Sequence, residues 1–399
     1  MTDEIIYFDN NATTKTDERV VAEMLPYFCD KYGNPSSMYN IGQDAAKVIK
    51  SSREVMAEFL GASTPDEVYF NSCGSEGAST VIKSVVELNK SKNHLVTTKV
   101  EHPCVLNLHK ELEKKGYKVT YIDVDNNGDL DLDQLETSIQ KDTALVSCMW
   151  ANNETGAIFP AQKIAKAVKE KNPDTKVFVD AVQVAGKMPI NVKDTAIDFL
   201  IVSGHKFHAP KGIGALYVKK GNLLTPLIVG GHQERGKRAG TENVPYIAGM
   251  AKAAGLAMGH LSDESGKVKY LRDKLEAGIL KNVFNATLNS KAKHRMPNTT
   301  NIGFEYIEGE LILLHLSDLG ICASSGSACT SGSLEPSHVL KAMGTPFTCL
   351  HGSIRFSLSR YSTEKEVDYV LEHLPRVIDK IANISPFQKE LAVLRREKI

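Results

Sequence analysis

The fold is decided by a segment that reads FLIVSGHK, residues 199–206, in which four apolar residues are followed by four small or polar ones. A short apolar run that ends in this way is typical of a strand buried on both faces of a sheet. The preceding segment VFVD, residues 177–180, has the same form and ends in Asp180. Both segments therefore predict strands of one sheet whose carboxyl ends carry polar side chains.

More segments of this type occur between about residues 17 and 260, and helical patterns separate them. Strands that alternate with helices predict a parallel sheet with crossover helices. The predicted fold class is therefore α/β, with a large domain built on a mostly parallel seven-stranded sheet. Its strands are expected at residues 68–71, 95–100, 119–124, 144–149, 177–180, 199–203 and 215–218.

Beyond about residue 260 the pattern changes to a long helix, two strand-like segments and a closing helix, which favours a smaller α+β domain. These elements are expected at residues 268–280, near 300–304 and 353–358, and at 363–381. We expect a large domain of residues 16–260, and a small domain formed by residues 1–15 and 261–399.

Composition and charge exclude several classes of protein. Of the 399 residues, 42% are hydrophobic and 24% are charged, and 48 basic residues balance 48 acidic ones. This balance gives no electrostatic reason to expect binding to nucleic acid or to an anionic membrane. No run of 18 apolar residues occurs, and we expect neither a signal peptide nor a membrane span.

The seven cysteines are widely scattered and include no C-x-x-C pair. This spacing argues against a disulfide framework and against a structural metal site, and it favours a reducing compartment, by default the cytoplasm. Cys329 differs from the others because it lies among small polar residues, in the segment SSGSACTSGS at 324–333. A thiol in such a segment is more plausibly kept for its reactivity than for its packing.

The residues that follow the strands form the candidate site, since ligands of open parallel sheets bind at the carboxyl ends of the strands. Each of them also has an ordinary structural interpretation. A Gly/Ser turn before a helix is often only an N-cap, Asp180 could cap a turn, and an isolated loop lysine is usually solvated. The strand-end residues are Gly74 and Ser75, His102, Asn153, Asp180 and Gln183, and Ser203, Gly204, His205 and Lys206.

Together, these residues match the requirements of one cofactor, pyridoxal 5'-phosphate. This cofactor needs a lysine for its Schiff base, a carboxylate at its pyridinium nitrogen and a donor-rich cradle for its phosphate. Lys206 and Asp180 supply the first two, and His102 supplies a ring that can stack on the pyridine. The chain has no P-loop motif and no G-x-G-x-x-G motif after its first strand, which disfavours nucleotides.

In these residues and in further segments, the chain resembles the pyridoxal-phosphate cysteine desulfurases of the NifS/IscS family, which are related to the class-V aminotransferases. It resembles the NifS branch more than the IscS branch. The segments that carry the resemblance extend over residues 7–361, which is nearly the whole chain. They are YFDNNATT at 7–14, YGNPSS at 32–37, EHP at 101–103, MWANNETG at 149–156, SGHK at 203–206, GHQERG at 231–236, RAGTEN at 238–243, the segment 324–338 and IRFS at 354–357.

The resemblance implies fold-type I of the pyridoxal-phosphate enzymes and a homodimer. It implies that Lys206, His102 and Cys329 are catalytic, and that Asn153 and Arg355 bind the carboxylate of the substrate L-cysteine. Thr241 would reach the cofactor phosphate from the second subunit. The implied cofactor-binding residues are Gly74, Ser75, His102, Asn153, Asp180, Gln183, Ser203, Gly204, His205, Lys206 and Thr241.

The implied reaction converts L-cysteine to L-alanine and leaves the sulfur as a persulfide on Cys329. The resemblance further implies a scaffold protein similar to NifU, which accepts this sulfur for iron-sulfur or nitrogenase clusters. No permanent metal site is implied, although a persulfide on Cys329 could transiently ligate an iron-sulfur cluster. Three departures from the family pattern involve four positions, with Ser75 in place of Thr, Gly77 in place of Ser and the pair Met38-Tyr39 in place of Leu-His.

Other functions stay open at this stage. A selenocysteine lyase or another aminotransferase-like enzyme needs the same lysine, aspartate and phosphate cradle. A non-catalytic protein that holds an iron-sulfur cluster through Cys329 and Cys322 is a different class, although the cysteines lack cluster-ligand spacing. Release of sulfide, rather than transfer of an amino group, separates the desulfurase from an aminotransferase.

Overall fold

The structure is a computed structural model that describes residues 5–325 and 336–397. It therefore says nothing about Cys329, which lies outside the described residues. Three sheets contain the described strands. These are β1 (Ile6–Tyr7), β2 (Val68–Asn71), β3 (His94–Thr98), β4 (Lys118–Ile122), β5 (Thr143–Met149), β6 (Lys176–Asp180), β7 (Phe199–Ser203), β8 (Gly214–Val218), β9 (Ala286–Leu288), β10 (Thr299–Phe304), β11 (Ile321–Cys322), β12 (Ser324–Ser325) and β13 (Ser353–Ser357).

The longer helices occur both before residue 260 and after it. They are α1 (Glu18–Met24), α2 (Asn40–Leu60), α3 (Gly74–Leu88), α4 (Pro103–Lys114), α5 (Leu132–Ser138), α6 (Ala161–Lys171), α7 (Val244–Gly259), α8 (Lys269–Asn282), α9 (Gly309–Asp318), α10 (Glu364–Ala382) and α11 (Gln388–Glu397). Shorter helical turns include Gly204–Lys206 and His338–Ala342, and a π-helical turn at Glu264–Val268 leads into α8.

The large sheet has seven strands in the order β2-β8-β7-β6-β5-β3-β4. The strands from β7 to β4 pair in parallel, as the sequence predicts. Strand β8 runs antiparallel to both of its neighbours, β2 and β7. The sheet is therefore mostly parallel, which confirms the expected fold class, and the carboxyl ends of β3, β5, β6 and β7 meet at one edge.

The apolar runs become strands because both faces of the sheet are covered. Along β7, Leu200 and Val202 belong to one buried apolar cluster, whereas Phe199 and Ile201 belong to another. Helices α2 and α7 contribute to the first cluster, and α3 and α4 contribute to the second. Since neighbouring side chains of a strand point to opposite faces, a strand covered on both sides reads as a continuous apolar run.

A second core lies in the C-terminal part of the chain, where a four-stranded sheet has the order β12-β13-β10-β9. Its buried cluster includes residues from α8 and α10. The N-terminal residues Ile6 and Phe8 join this cluster, and β1 pairs in parallel with β11. The precise division into residues 16–260 and residues 1–15 with 261–399 stays a prediction.

No described helix combines the length and the apolar character that a membrane span requires.

Candidate active site

A cavity of about 350 Å³ lies at the carboxyl ends of the parallel strands. It collects residues from both cores and from the N-terminal segment. Most of the residues that the sequence singled out line it. The lining residues are Asn11, Ala12, Cys73, Gly74, Ser75, His102, Cys104, Met149, Ala151, Asn153, Asp180, Val182, Gln183, Ser203, His205, Lys206 and Arg355.

Lys206 ends the helical turn that follows β7, and its side chain points to the N-terminal segment. Its Nζ donates to the carbonyl oxygens of Asn11 and Ala12, at 2.6 Å and 2.8 Å. These two carbonyls hold the amine in the cavity. The contact also explains why residues 5–14, which pack with the small core, are needed to complete a site built on the large sheet.

Asp180 is the last residue of β6, and its carboxylate is buried at the floor of the cavity. Oδ1 accepts a hydrogen bond from the backbone N–H of Val182 at 2.9 Å. Burial raises the pKa of Asp180 to about 6, while this hydrogen bond and the charge of Lys206 act in the opposite direction. A buried carboxylate in this state is stabilised by any cation that enters the cavity beside it.

Gln183 lies three residues after Asp180, in the turn that follows β6, and its amide is also buried. Nε2 donates to the carbonyl oxygen of Asn11 at 3.1 Å. Its Oε1 is buried without a hydrogen-bond partner among the described residues. Because buried polar atoms are rarely left unpaired, this atom indicates that a polar group of a ligand completes the site.

His102 is held in place by its neighbour Glu101, which is fully buried. Oε1 of Glu101 accepts from the hydroxyl of Thr98 at 2.8 Å and from the backbone N–H of Met149 at 2.9 Å, so it ties the end of β3 to the end of β5. Burial raises the pKa of Glu101 to about 8. Burial also lowers the pKa of His102 to about 4, with Lys206 and His338 as smaller causes.

The predicted phosphate cradle is formed by two elements at the same edge of the sheet. Helix α3 begins at Gly74, so the N–H groups of its first turn have no partners within the helix. Ser203 and His205 contribute from the end of β7, and all of these residues line the cavity. Burial and the charges of nearby lysines, Lys206 foremost, lower the pKa of His205 to about 4.

Gly77, one of the departures from the family pattern, has a packing reason in this structure. A Cβ atom at Gly77 would lie 2.8 Å from the Nδ2 atom of Asn71 and 2.8 Å from the Cγ2 atom of Ile201. Helix α3 therefore approaches the sheet closely at this point, and a serine would require a shift. Position 77 is not part of the cavity lining.

Arg355 lies on β13 and reaches the cavity from the small core. Nη2 forms an ion pair with Oδ1 of Asp9 at 2.7 Å, and Nη1 donates to the carbonyl oxygen of Asn153 at 3.1 Å. Its Nε is buried and has no hydrogen-bond partner among the described residues. The guanidinium is thus oriented by two contacts and retains an N–H group for an anion.

The loop that carries Asn153 is shaped by its neighbours. Oδ1 of Asn152 accepts from the backbone N–H groups of Glu154 and Thr155, both at 2.9 Å. The loop ends at Gly156, which has a φ of +76° and would place a Cβ atom 3.0 Å from the Cβ of Thr299. Only glycine adopts this conformation readily, so it fixes the turn that presents Asn153 to the cavity.

Two predicted site residues that the structure describes, Gly204 and Thr241, do not line the cavity. Gly204 donates its N–H to the carbonyl of Ile213 at 2.9 Å, and it does not line the cavity. Thr241 lies exposed on another loop of the same chain, so any role at a cofactor requires a second copy of the chain. Cys329 lies outside the described residues.

The structure also adds residues to which the sequence assigned no role. Asn11 is the clearest, because its side chain donates to the carbonyl of Asn153 and to the hydroxyl of Thr299, while its own carbonyl accepts from Lys206. Asn11 lies in the segment YFDNNATT at 7–14, but a single asparagine in a loop carries no periodic signal. Cys73 and Cys104 also line the cavity.

These residues fit pyridoxal 5'-phosphate. Asp180 supplies a buried carboxylate for the pyridinium nitrogen, and Gln183 has a buried oxygen that has no partner among the described residues. The first turn of α3 has N–H groups that no carbonyl of the helix accepts and that can bind a phosphate. Lys206 carries the amine that binds the cofactor covalently. The fit rests on the kinds of donor and acceptor that converge on one cavity.

Comparison with known proteins agrees with this fit. The family model described as Aminotransferase class-V matches residues 6–370. The fold and the cavity thus define the chain as a protein of the class-V aminotransferase type, for which pyridoxal phosphate is the cofactor.

Relatives that match over nearly their full length show to which group within this family the chain belongs. A protein of Trichormus azollae named "Cysteine desulfurase" is 54% identical over 97% of this chain and 96% of its own length. "Cysteine desulfurase NifS" of Azotobacter vinelandii is 48% identical over 96% of this chain and 94% of its own length. A solved structure described as "NIFS-LIKE PROTEIN" has a TM-score of 0.89 and 41% identity, and the match covers 94% of this chain and all of that one. The chain belongs to the cysteine desulfurases of the class-V aminotransferase family, which confirms the resemblance found in the sequence.

Proposed function

We propose that this chain is a pyridoxal-phosphate-dependent cysteine desulfurase that converts L-cysteine to L-alanine and retains the sulfur on Cys329. The observation that carries the proposal is the single cavity in which Lys206, Asp180, His102 and Arg355 converge. The identity over nearly the full length to proteins named cysteine desulfurase supports the same reaction.

When bound, pyridoxal phosphate supplies an electron sink that stabilises negative charge at the α-carbon of the substrate. The residues of this chain hold the cofactor and the substrate in position. Lys206 provides the amine that attaches the cofactor, and Asp180 holds a proton at the pyridine nitrogen. Ser75, Ser203 and His205, with the first turn of α3, bind the phosphate.

Arg355 and Asn153 bind the carboxylate of cysteine. The guanidinium suits a planar anion because its N–H groups form a rigid fork. In the present arrangement Asp9 accepts from Nη2 of Arg355, so the fork is held ready while Nε remains buried without a partner among the described residues. Binding the carboxylate fixes the α-carbon and the thiol of the substrate relative to Lys206.

A proton must leave the α-carbon of the substrate. The amine of Lys206 and the imidazole of His102 both line the cavity and are the two candidates for this step. Each is held by contacts of its own, Lys206 by two carbonyl oxygens and His102 by helix α4.

The thiolate of Cys329 then attacks the sulfur of the substrate. The bond between the β-carbon and sulfur breaks, its electrons stay with the carbon skeleton, and protons complete alanine. The overall change is balanced, because cysteine and the Cys329 thiol yield alanine and a persulfide on Cys329. As in disulfide exchange, the rate of attack depends on the thiolate fraction and on access to the sulfur.

Both segments that flank the Cys329 segment are attached to the site, which supports this role. On one side, Ser324 of β12 pairs with Arg355 of β13. On the other side, the hydroxyl of Ser337 donates to Oε2 of Glu154 at 2.5 Å, and Nε2 of His338 donates to the carbonyl of Glu101 at 2.9 Å. The chain thus leaves and re-enters the described structure beside Arg355, Asn153 and His102.

A homodimer is part of the proposal. Several large apolar side chains are exposed on this chain, among them Met38, Tyr39 and Val229, with exposed fractions of 93%, 60% and 82%. A second cavity, of about 620 Å³, is lined by Ser36 and by residues 231–235, which are close in sequence to these side chains. A second copy that covers this region would bury them and would bring Thr241 towards the partner's phosphate site.

The persulfide sulfur is proposed to pass to a scaffold protein similar to NifU, for iron-sulfur or nitrogenase clusters, in the cytoplasm. This part of the proposal rests on the resemblance to the NifS branch. Transfer to an acceptor requires a thiol that can reach both the cofactor and the partner, and the composition of residues 324–333 is suited to that.

The experiment that tests the reaction is a visible spectrum of the purified protein with and without cysteine, coupled to assays of alanine and sulfide. We expect a cofactor absorption band that changes on addition of cysteine, with alanine and sulfide formed in equal amounts in the presence of a thiol reductant. A protein without a cofactor band, or one that transfers the amino group to a keto acid without releasing sulfide, contradicts the proposal.

A further inference from the structure

The imidazole of His102 is attached to the start of helix α4. His102 is the N-cap of this helix, and its Nδ1 accepts a hydrogen bond from the backbone N–H of Cys104 at 3.2 Å. A backbone N–H can donate but cannot accept. The contact therefore requires a lone pair on Nδ1, which places the proton of a neutral ring on Nε2.

The side chain of Cys104 makes a second contact with the same nitrogen. Its Sγ lies 3.0 Å from Nδ1 of His102. Burial raises the pKa of the Cys104 thiol to about 12, so the thiol keeps its proton and can donate it in a hydrogen bond. The side chain of Ser75 also hydrogen-bonds with Cys104, so this thiol lies between the predicted phosphate cradle and the predicted stacking ring.

The charges around His102 act in the same direction as these contacts. Lys206, from the turn after β7, and His338, from the turn that contacts Glu101, both disfavour a positive charge on the ring. Burial disfavours it further, and so does the position of the ring at a helix N-terminus. Burial, the charges of Lys206 and His338 and the helix N-terminus thus all favour the neutral ring, and the nearby buried carboxyls of Asp180 and Glu101 are not among the causes of its pKa shift.

We propose that Cys104 is a positioning residue that, with the first turn of α4, holds His102 as a neutral imidazole whose proton is on Nε2. The inference deepens the proposed function, on which it rests for the contact between His102 and the cofactor. The contacts from which the protonation state is inferred all lie within this chain.

This arrangement decides between the two candidates for the proton step. An Nε2 atom that already carries a proton can donate a hydrogen bond but cannot accept the α-proton, and Nδ1 is occupied by the two donors of Cys104. The α-proton therefore goes to the amine of Lys206. His102 acts as a neutral hydrogen-bond donor at Nε2 over the pH range in which its pKa keeps it uncharged.

The test is nuclear magnetic resonance of the full chain labelled with ¹⁵N-histidine, first without cofactor. The chain has 12 histidines, and the signals of His102 are identified by their loss in His102→Gln. We expect an unprotonated Nδ1 and a protonated Nε2 for His102, without titration between about pH 5.5 and 8. A proton on Nδ1, or a titration near the ordinary histidine value, overturns the inference.

Two variants isolate the thiol. Cys104→Ala removes the side-chain donor and leaves the backbone N–H, so we expect the pKa of His102 to rise by about 0.5 to 1 unit because the neutral ring loses one hydrogen bond. Cys104→Ser restores a donor, and we expect the pKa of His102 to stay within about 0.2 unit of the original protein. Cys349→Ala, which removes a buried thiol outside the cavity, is the matched control.

If Cys104→Ala leaves the nitrogen signals and the pKa of His102 unchanged, Cys104 is not a positioning residue. The measurement needs neither cofactor nor cysteine, so its failure is distinct from failure of the desulfurase reaction. A second readout in the loaded protein, the pH dependence of the cofactor absorption band, is expected to differ in Cys104→Ala and to be restored in Cys104→Ser.

Discussion

Arg355 and Asp9 form an ion pair, with 2.7 Å between Nη2 and Oδ1, that connects strand β13 to the N-terminal segment at the edge of the cavity. Asp9 also forms a bridge with Ser357, so its backbone is fixed to the same strand. The pair orients the guanidinium before any substrate binds. The geometry of this pair predicts that binding of the substrate carboxylate requires the planar fork of N–H groups of Arg355, and that a positive charge alone at this position is not sufficient.

Arg355→Lys keeps the positive charge and removes the fork. We expect KM for cysteine to rise by about 10- to 100-fold, because a lysine cannot hold a planar carboxylate through two parallel hydrogen bonds. Steady-state kinetics of alanine formation give the value. Asp9→Asn is the matched control, since its amide oxygen still accepts from Nη2, and we expect KM to change by less than about threefold. Equal losses in the two variants contradict the assigned role of Arg355.

The substitution Asp180→Asn is expected to raise the stability of the cofactor-free protein at pH 8 and to lower its desulfurase activity. Burial raises the pKa of Asp180 to about 6, so the folded protein without cofactor holds this proton more tightly than the unfolded chain. Stability is therefore lost as the pH rises from about 4 to about 6, by about 3 kcal/mol. At pH 8 the cofactor-free Asp180→Asn protein is expected to unfold at higher urea concentration than the original protein, and at pH 4 this difference disappears.

The same substitution is expected to lower desulfurase activity by at least about 100-fold, because an amide cannot hold a proton at the pyridine nitrogen. Asp123→Asn is a suitable control, since Asp123 is half-exposed and pairs with Lys99, which lowers its pKa. That variant is expected to be slightly less stable at pH 8 and fully active. A cofactor-free Asp180→Asn protein that is less stable at pH 8 contradicts the burial argument.

The buried side chains of Lys187 and Glu264 are expected to be coupled energetically, so that each contributes to the stability that the other provides. Lys187 is buried, and its Nζ donates to the carbonyls of Gln183 and Lys206 at 3.2 Å and 3.3 Å. Burial lowers the pKa of Lys187 and raises that of Glu264, whereas the attraction between the two opposes both shifts. A double-mutant cycle of Lys187→Met and Glu264→Gln, measured by urea unfolding, is expected to give a coupling free energy of about 1 to 2 kcal/mol.

Removing either partner takes one compensating charge from a buried group, which keeps only the two carbonyls at Lys187 or the charges of Arg360 and Lys267 at Glu264. Each single variant is therefore expected to be less stable than the double variant. Additive losses in the cycle would show that the two side chains act independently. Lys163→Met, at an exposed lysine on α6, serves as a control and is expected to have a small effect.

Val229→Asp tests the proposed dimer. The side chain of Val229 is 82% exposed in the single chain, and a charge there would be buried in an interface that covers this loop. We expect sedimentation analysis to give a dimer for the original protein and a monomer for the variant, with weaker retention of cofactor because Thr241 of the partner is lost. Val393→Asp, at an exposed apolar residue on α11, is the control and should remain a dimer. A dimeric Val229→Asp protein contradicts the proposed interface.

The strands of the large sheet could be predicted from the sequence because both of their faces are buried. The bounds of β2 and β7 agree with the prediction, and the others differ by one or two residues at their ends. The direction of β8 could not be predicted. An apolar run carries no information about strand direction, which depends here on the short connection from Lys206 to Gly214 that returns the chain along β7.

The site was predictable where a strand ends in a chemically distinctive residue. Lys206, Asp180 and His102 follow strands, and the cavity lining includes all three. Asn11 could not be found in this way, because its role comes from hydrogen bonds to residues more than a hundred positions away, such as Asn153 and Lys206. The contact between Cys104 and His102 likewise depends on how α4 begins, which residue types alone do not determine.

The most direct measurement is mass spectrometry of the intact protein and its peptides after a single turnover with cysteine in the absence of reductant. We expect one alanine per active site, together with a mass gain of one sulfur atom on the peptide that contains Cys329. Cys329→Ala is predicted to bind the cofactor and to respond to cysteine in its absorption band without forming alanine. Alanine formation by Cys329→Ala at the original rate, or a persulfide on another cysteine in place of Cys329, would contradict the role of Cys329 as the sulfur acceptor.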